Sequence, residues 1–317
     1  MEQDATQRDV ISRWIADEAL AVIRDCNGAQ PVWLSGTAAE LGGACLVAED
    51  IGQPLLFQLL SFAESWPMGK STAPQPLRDA VGRAMGFGLR LYAQSPLIAE
   101  HLSNQIDAPV GVFPAILELH PLKDRPPRAR PVVGLVNMMR HGKEFGPALS
   151  ELMVHGDDLS LLLHTGESAT VDAVYALKRR IDGLAQHYRL KRPEVKIVAG
   201  ALPAREYVEM WQGLDCTVMP YDPARYMRQG SGVLFESLAD AIIPIAPLGT
   251  SMAATMQEFG MGLTYDIDKR GSLRDAASVM LKDFEDMCRR HRAFAPVYRE
   301  ANSPRRVMDT VLSVATQ

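Results

Sequence analysis

Apolar residues fall into two periods along this chain, and the two alternate. Val10, Ile11, Trp14, Ile15, Ala19 and Val22 recur at helical spacing, which predicts a helix from about Gln7 to Cys26 with those residues as one buried stripe. A short strand follows at Pro31–Leu34, then a helix over Ala38–Ile51 and a continuous apolar strand over Pro54–Phe62. Gly42 and Gly43 inside that helix fit close packing against another helix and need no ligand. A loop rich in Pro, Gly and Ser at Ser65–Pro76 precedes another helix, the strand Gly88–Ala93, the helix Pro96–Ser103 and the strand Val110–Phe113. The segment His120–Pro131 holds four prolines among alternating charges and reads as a linker.

Beyond it the alternation restarts. Strands are expected at Val132–Val136, Leu159–His164, Val195–Val198 and Asp215–Met219, with helices at Gly146–Met153, Val171–Tyr188 and Ala204–Gly213 between them. Continuous apolar strands alternating with helices indicate parallel sheets covered on both faces. The predicted class is α/β, with two Rossmann-like doubly wound domains over 1–125 and 126–317, the last helix returning to the first. Ligands of such sheets bind at the carboxyl ends of the strands. His164, at a strand end, faces that side, and a purely structural role fits a strand-end histidine equally.

Composition narrows the partners. The 317 residues are 47% hydrophobic and 22% charged, with a net charge of -5, which gives no general attraction to nucleic acid. Basic runs such as Lys178–Arg180 and Arg289–Arg292 read as solvated helix faces, with a peripheral membrane contact as the other reading. Cys26, Cys45, Cys216 and Cys288 form no CxxC pair and the histidines show no metal spacing, so reduced core thiols and no metal are expected. The N-terminus has no basic segment followed by an apolar run, which predicts no signal peptide and a cytoplasmic protein. GxSxG, GxxxxGK[ST] and GxGxxG patterns are missing after the strands, which disfavours a hydrolase, a P-loop ATPase and an NAD enzyme.

The most informative stretch is Tyr221–Pro247. Arg228-Gln229-Gly230-Ser231-Gly232 forms a small polar loop, followed by a helix carrying Val233, Leu234 and Glu236, and by the strand Ile242–Ala246. Glycines let a backbone approach a ligand, and the unpaired N–H groups at a helix start attract anions. A plain N-cap by Ser231 after a flexible turn fits the same residues.

In order and spacing the second half resembles the nucleotide-sugar domain of the retaining GT-B glycosyltransferases. Val133–Val136 with Arg140, Lys143 and Glu144 is similar to that family's first strand and basic loop. Gly200-Ala201-Leu202-Pro203 with Tyr207 looks like the loop that accepts the base, and Gly230–Glu236 like the phosphate loop and ribose-binding carboxylate. The resemblance implies that Arg140 and Lys143 hold the pyrophosphate leaving group, where cations stabilise developing negative charge. It implies that the amides of Gly230, Ser231, Gly232, Val233 and Leu234 hold the distal phosphate, with Arg228 adding positive charge. Ala201 and Leu202 would meet the base through backbone groups, and Glu236 would accept from ribose hydroxyls. Read without the resemblance, Arg140 and Lys143 fit a surface cluster with Glu144, and Glu236 a helix salt bridge.

The family pattern also has departures. Arg228 stands where many members carry a second glutamate beside the donor sugar, and Ala241 stands in the place of a glycine. The first half opens with a helix rather than a strand, and the strand Pro54–Phe62 lacks the histidine that often ends it. The expected function is transfer of a sugar, with retention, from a nucleotide-diphosphate donor to an unknown acceptor such as a polysaccharide or lipid-linked chain. No cofactor is implied. The alternative is a catalytically silent GT-B module that binds a nucleotide or a partner protein.

Overall fold

The computed structural model describes the chain apart from residues 1, 26–30, 34–37, 60–72, 116–119, 123–127, 139–144, 167–170, 189–192, 228 and 316–317. The predicted run of the second strand through Phe62, most of the Ser65–Pro76 loop and the middle of the linker lie outside the described residues. The chain divides into two compact units. One comprises Met1–Ile116, Arg228–Gly230 and Ala301–Gln317, the other Leu117–Met227 and Ser231–Glu300.

In the first unit α1 (Glu2–Asp25), α2 (Ala38–Ile51), α3 (Gln75–Gly86) and α4 (Pro96–Ile106) alternate with β1 (Val32–Trp33), β2 (Leu55–Leu59), β3 (Leu89–Ala93) and β4 (Val110–Val112). The strands form a parallel sheet in the order β1-β2-β3-β4. Side chains alternate across a strand, and here the two faces have separate cores. Leu55, Phe57, Leu89 and Leu91 pack under α2, α3 and α4 through Leu41, Val81, Ile98 and Leu102. Leu56 and Tyr92 point the other way, where Val307 and Val311 of the C-terminal helix α13 (Pro304–Ala315) cover them with Phe113. The second face is thus closed by the end of the chain.

Helix α1 corrects one expectation. Trp14 and Val22 are 64% and 63% exposed, while Ala16 is 3% exposed against α2. A Cβ on Gly42 would lie 2.6 Å from Ser12 Oγ, and one on Gly43 3.1 Å from the Ser12 carbonyl oxygen. Ser12, Ile15 and Ala16, not the tryptophan, face the partner, and the small residues of α2 let the two helices approach closely. Close helix packing does explain the two glycines. Val10 and Ile11 have no described side chains.

The second unit holds β5 (Val132–Leu135), α5 (Phe145–Leu152), β6 (Ser160–His164), α6 (Val171–Tyr188), β7 (Glu194–Val198), α7 (Ala204–Trp211) and β8 (Cys216–Val218). It continues with α8 (Pro223–Tyr226), α9 (Gly232–Ala239), β9 (Ile243–Pro247), α10 (Ser251–Phe259), β10 (Leu263–Tyr265), α11 (Ser272–Lys282) and α12 (Phe284–Ala301). Its six parallel strands run in the order β10-β9-β8-β5-β6-β7. This is the doubly wound Rossmann order, with its switch point between β5 and β8. Val133, Leu135, Leu161, Leu163, Val218, Ile243 and Ile245 form the strand side of the core, under Leu149 of α5, Ile181 of α6 and Ala277 of α11. His120 sides with this unit, and Arg299 Nη1 donates to its carbonyl at 2.6 Å. No helix among the described residues is long and apolar enough to cross a membrane.

Candidate functional site

Three strand ends at the carboxyl edge of the second sheet turn through left-handed backbone: Asn137 (φ 55°) after β5, Gly166 (φ 76°) after β6 and Gly200 (φ 79°) after β7. At Gly166 the glycine is required twice over, since a Cβ would also lie 2.8 Å from Asn137 Oδ1. Gly200, which opens the Gly200–Pro203 loop, is held from both sides. Its N–H donates to Thr165 Oγ1 at 3.0 Å, and its carbonyl lies 3.0 Å from His164 Nε2. His164 is 3% exposed and meets the Tyr207 ring edge-on at 6.3 Å between centroids. It therefore props the loop from beneath. Ala201 is exposed and Leu202 half-buried.

Helix α9 is fastened at both ends. Ser231 caps its start, with Oγ accepting from the Leu234 N–H at 3.4 Å, so the N-cap reading holds. Ser231 Oγ also lies 3.9 Å from Met219 Sδ, just past β8, which sets the helix start beside the switch point. In mid-helix the buried Ser237 hydroxyl bonds Thr217 of β8 at 2.8 Å and donates to the Val233 carbonyl at 2.6 Å. At the far end the Ile242 N–H reaches the Ser237 carbonyl at 2.9 Å, closing a Schellman turn with Ala241 in the left-handed position, φ 58°. Ala241 thus adopts the backbone that a glycine would adopt freely.

Glu236 sits half-buried on this helix, and Tyr207 Oη donates to its Oε2 at 2.8 Å. Burial and then the Glu236 charge push the Tyr207 phenol above its ordinary pKa, so it stays a donor. Four residues on, Trp211 stacks on Tyr207 at 6.0 Å with 14° between planes, and its Nε1 donates to Asp240 Oδ2 at 2.9 Å. Asp240 also pairs with Arg299, whose Nε donates to the Ala239 carbonyl at 2.6 Å. Two aromatic donors spaced i, i+4 on α7 therefore meet two carboxylates spaced i, i+4, one on α9 and one at its C-cap. Gly232 lies beside the carboxylate: a Cβ built there would be 3.8 Å from Glu236 Oε1, an ordinary contact.

The structure thus gathers Ser231, Gly232, Val233, Leu234 and Glu236 on one helix start, with the Ala201–Leu202 loop joined to them through Tyr207. Val233 and Leu234 are buried, and the Leu234 N–H is engaged by the Ser231 cap. Gly230 falls in the stretch that belongs to the first unit. Arg140, Lys143 and Arg228 lie outside the described residues. Sequence reading overlooked Trp211, Asp240 and the Tyr207–Glu236 bond; the matching spacings on α7 and α9 were the signal that could have found them. Among the described residues, no three or more His, Cys, Asp or Glu side chains gather as a metal-holding group.

No protein-family model and no curated protein sequence matches the chain. Solved structures do. A glycosyltransferase from Rickettsia africae ESF-5 superposes with a TM-score of 0.67 at 14% identity, covering 96% of this chain and 80% of that one. HepE of Anabaena, solved in complex with UDP, gives 0.64 at 13% identity over 94% of this chain and 80% of that one. Sucrose-phosphate synthase from Thermosynechococcus elongatus gives 0.62 at 17% identity over 90% and 74%. With two parallel α/β units, one in Rossmann order, and these neighbours, the chain has the fold of the GT-B glycosyltransferases.

Proposed function

We propose that this protein transfers a sugar from a nucleoside-diphosphate donor to an acceptor hydroxyl, with retention at the anomeric carbon. One observation carries the reading: Glu236 stands one turn beyond a serine-capped helix start, at the switch point of a Rossmann-ordered sheet, and is tied through Tyr207 to the loop after β7. A diphosphate suits the amide N–H groups of Ser231 to Val233, and that of Leu234 once it leaves the Ser231 cap; a ribose suits a carboxylate, and a base suits the backbone of Ala201 and Leu202. HepE, of the same fold, was solved with UDP and with UDP and glucose, which supports a nucleotide-sugar donor here.

In this reading Arg140 and Lys143 neutralise the diphosphate as it leaves, with Arg228 adding to the field. The bond between the anomeric carbon and the diphosphate oxygen breaks, the acceptor oxygen bonds that carbon from the same face, and its proton passes to the leaving phosphate. The step calls for no metal and no enzyme base. Free thiols at Cys45, Cys216 and Cys288 suit a cytoplasmic setting. Calorimetry with UDP-, GDP- and ADP-sugars followed by a donor-hydrolysis assay tests the proposal. Binding with slow hydrolysis supports it; failure to bind any donor refutes it. Binding with no turnover under any condition would favour a silent nucleotide-binding module, the reading that Arg228 in place of a glutamate supports.

A further inference from the structure

Three of the described residues other than glycine have left-handed backbone: Asp107, Asn137 and Ala241. Asp107 and Ala241 close helices α4 and α9, where such a turn is an ordinary ending. Asn137, at φ 55°, closes no helix. It is the second residue past β5, on one side of the switch point, with β8 on the other. Its backbone is held there, because the next N–H, that of Met138, donates to the His164 carbonyl at 3.0 Å. Its side chain is half-buried, with Oδ1 turned to Gly166, where a Cβ would lie 2.8 Å away. Among the described residues the carboxamide makes no hydrogen bond. Asparagine tolerates left-handed backbone better than other side chains, so a plain turn residue fits φ 55° by itself. Glycine would adopt the turn with less strain, however, and the room that Gly166 leaves for the carboxamide is something the turn does not need.

Ligands of doubly wound sheets lie outside the carboxyl ends of the strands at the switch point. Along the order β8-β5-β6-β7, the Gly200–Pro203 loop follows β7 and the start of α9 lies beside β8. A nucleotide with its base at that loop and its diphosphate at α9 passes the end of β5 with its phosphates rather than its base. We infer that Asn137 is a donor-contacting residue: with Oδ1 against Gly166, its Nδ2 donates a hydrogen bond to the distal phosphate of the nucleoside diphosphate. The inference rests on the proposed donor site and adds a neutral donor to it. A donor placed there meets the negative charge that grows on the diphosphate as the sugar leaves.

Calorimetry of the full chain with UDP, GDP and ADP, and with UMP, GMP and AMP, tests this. Asn137→Gly keeps the left-handed turn and removes only the carboxamide. It is expected to leave the melting temperature within about 2 °C of the wild type. The diphosphate that the wild type binds should weaken about tenfold, and the matching monophosphate less than about twofold. Asn137→Asp keeps the shape and the turn but sets a negative charge against the phosphate, so the diphosphate should bind it more weakly still. Unchanged diphosphate affinity in Asn137→Gly overturns the inference. Equal weakening of diphosphate and monophosphate also overturns it, as that is the signature of a displaced loop. Should Asn137→Gly fold poorly, Asn137→Asp decides, and diphosphate binding as tight as in the wild type overturns the role of Asn137. If the wild type binds none of the diphosphates, the donor site falls and the inference with it; if wild type and variants bind one equally well, the donor site stands and Asn137 alone loses its role.

Discussion

Replacing Ala241 by glycine should stabilise the protein, although the same substitution in a helix does the reverse. Ala241 has φ 58° at the end of α9, where the Schellman turn requires a left-handed residue. For an L-residue this conformation costs about 1–2 kcal/mol, because Cβ crowds the following carbonyl. Glycine relieves that strain but adds about 0.4–1 kcal/mol of unfolded-state entropy. The Ala241 methyl is only partly buried, so its loss forfeits less than the ~0.8 kcal/mol of a fully buried methylene. The strain term wins by roughly 0.5 kcal/mol, or about 1–2 °C in melting temperature for a unit of this size. Ala254, half-buried inside α10, is the control, and glycine there costs about 1 kcal/mol. Urea unfolding and calorimetry of both variants should give shifts of opposite sign. If Ala241→Gly destabilises as much as Ala254→Gly, the turn is not under the strain argued here.

Three further outcomes follow from packing and charge. Asp240→Ala leaves Arg299, whose side chain is 14% exposed, without its carboxylate and Trp211 Nε1 without an acceptor; a loss of about 3 kcal/mol is expected in urea unfolding, and a negligible change refutes it. Gly262→Ala forces a Cβ to 2.5 Å from the Pro244 carbonyl at φ 78°, so a loss of about 2 kcal/mol or more, or failure to fold, is expected, and a neutral melting curve contradicts the geometry. Burial pushes His291 below the ordinary histidine value, against its bond to the Met287 carbonyl at 2.8 Å. The unfolded chain therefore binds this proton first, so stability is full above about pH 6.5 and falls as pH drops toward the lower folded value. His291→Gln should flatten that part of the stability profile, and an unchanged slope below about pH 6.5 refutes the assignment.

The sequence by itself determined the alternation of strands and helices in both halves. Strands such as Ser160–His164 and Ile243–Pro247 are buried on both faces, so their apolar runs are continuous and visible without a partner. It also showed the Ser231 cap and the paired glycines of α2, because these are local demands of backbone geometry and helix approach. Tertiary structure alone decided the rest. Strand order, and with it the switch point between β5 and β8, depends on which crossovers go which way, and an apolar strand carries no mark of its neighbour. Trp14 and Val22 of α1 suggest burial by their size, whereas the face that meets α2 is that of Ser12, Ile15 and Ala16, so only the packing of the two helices decides which side of α1 is covered. The bond between Tyr207 and Glu236 joins residues that local pattern leaves independent, and only folding of α7 against α9 makes them one group. A chain can display its short-range constraints in its letters, but pairing across the fold is written by packing.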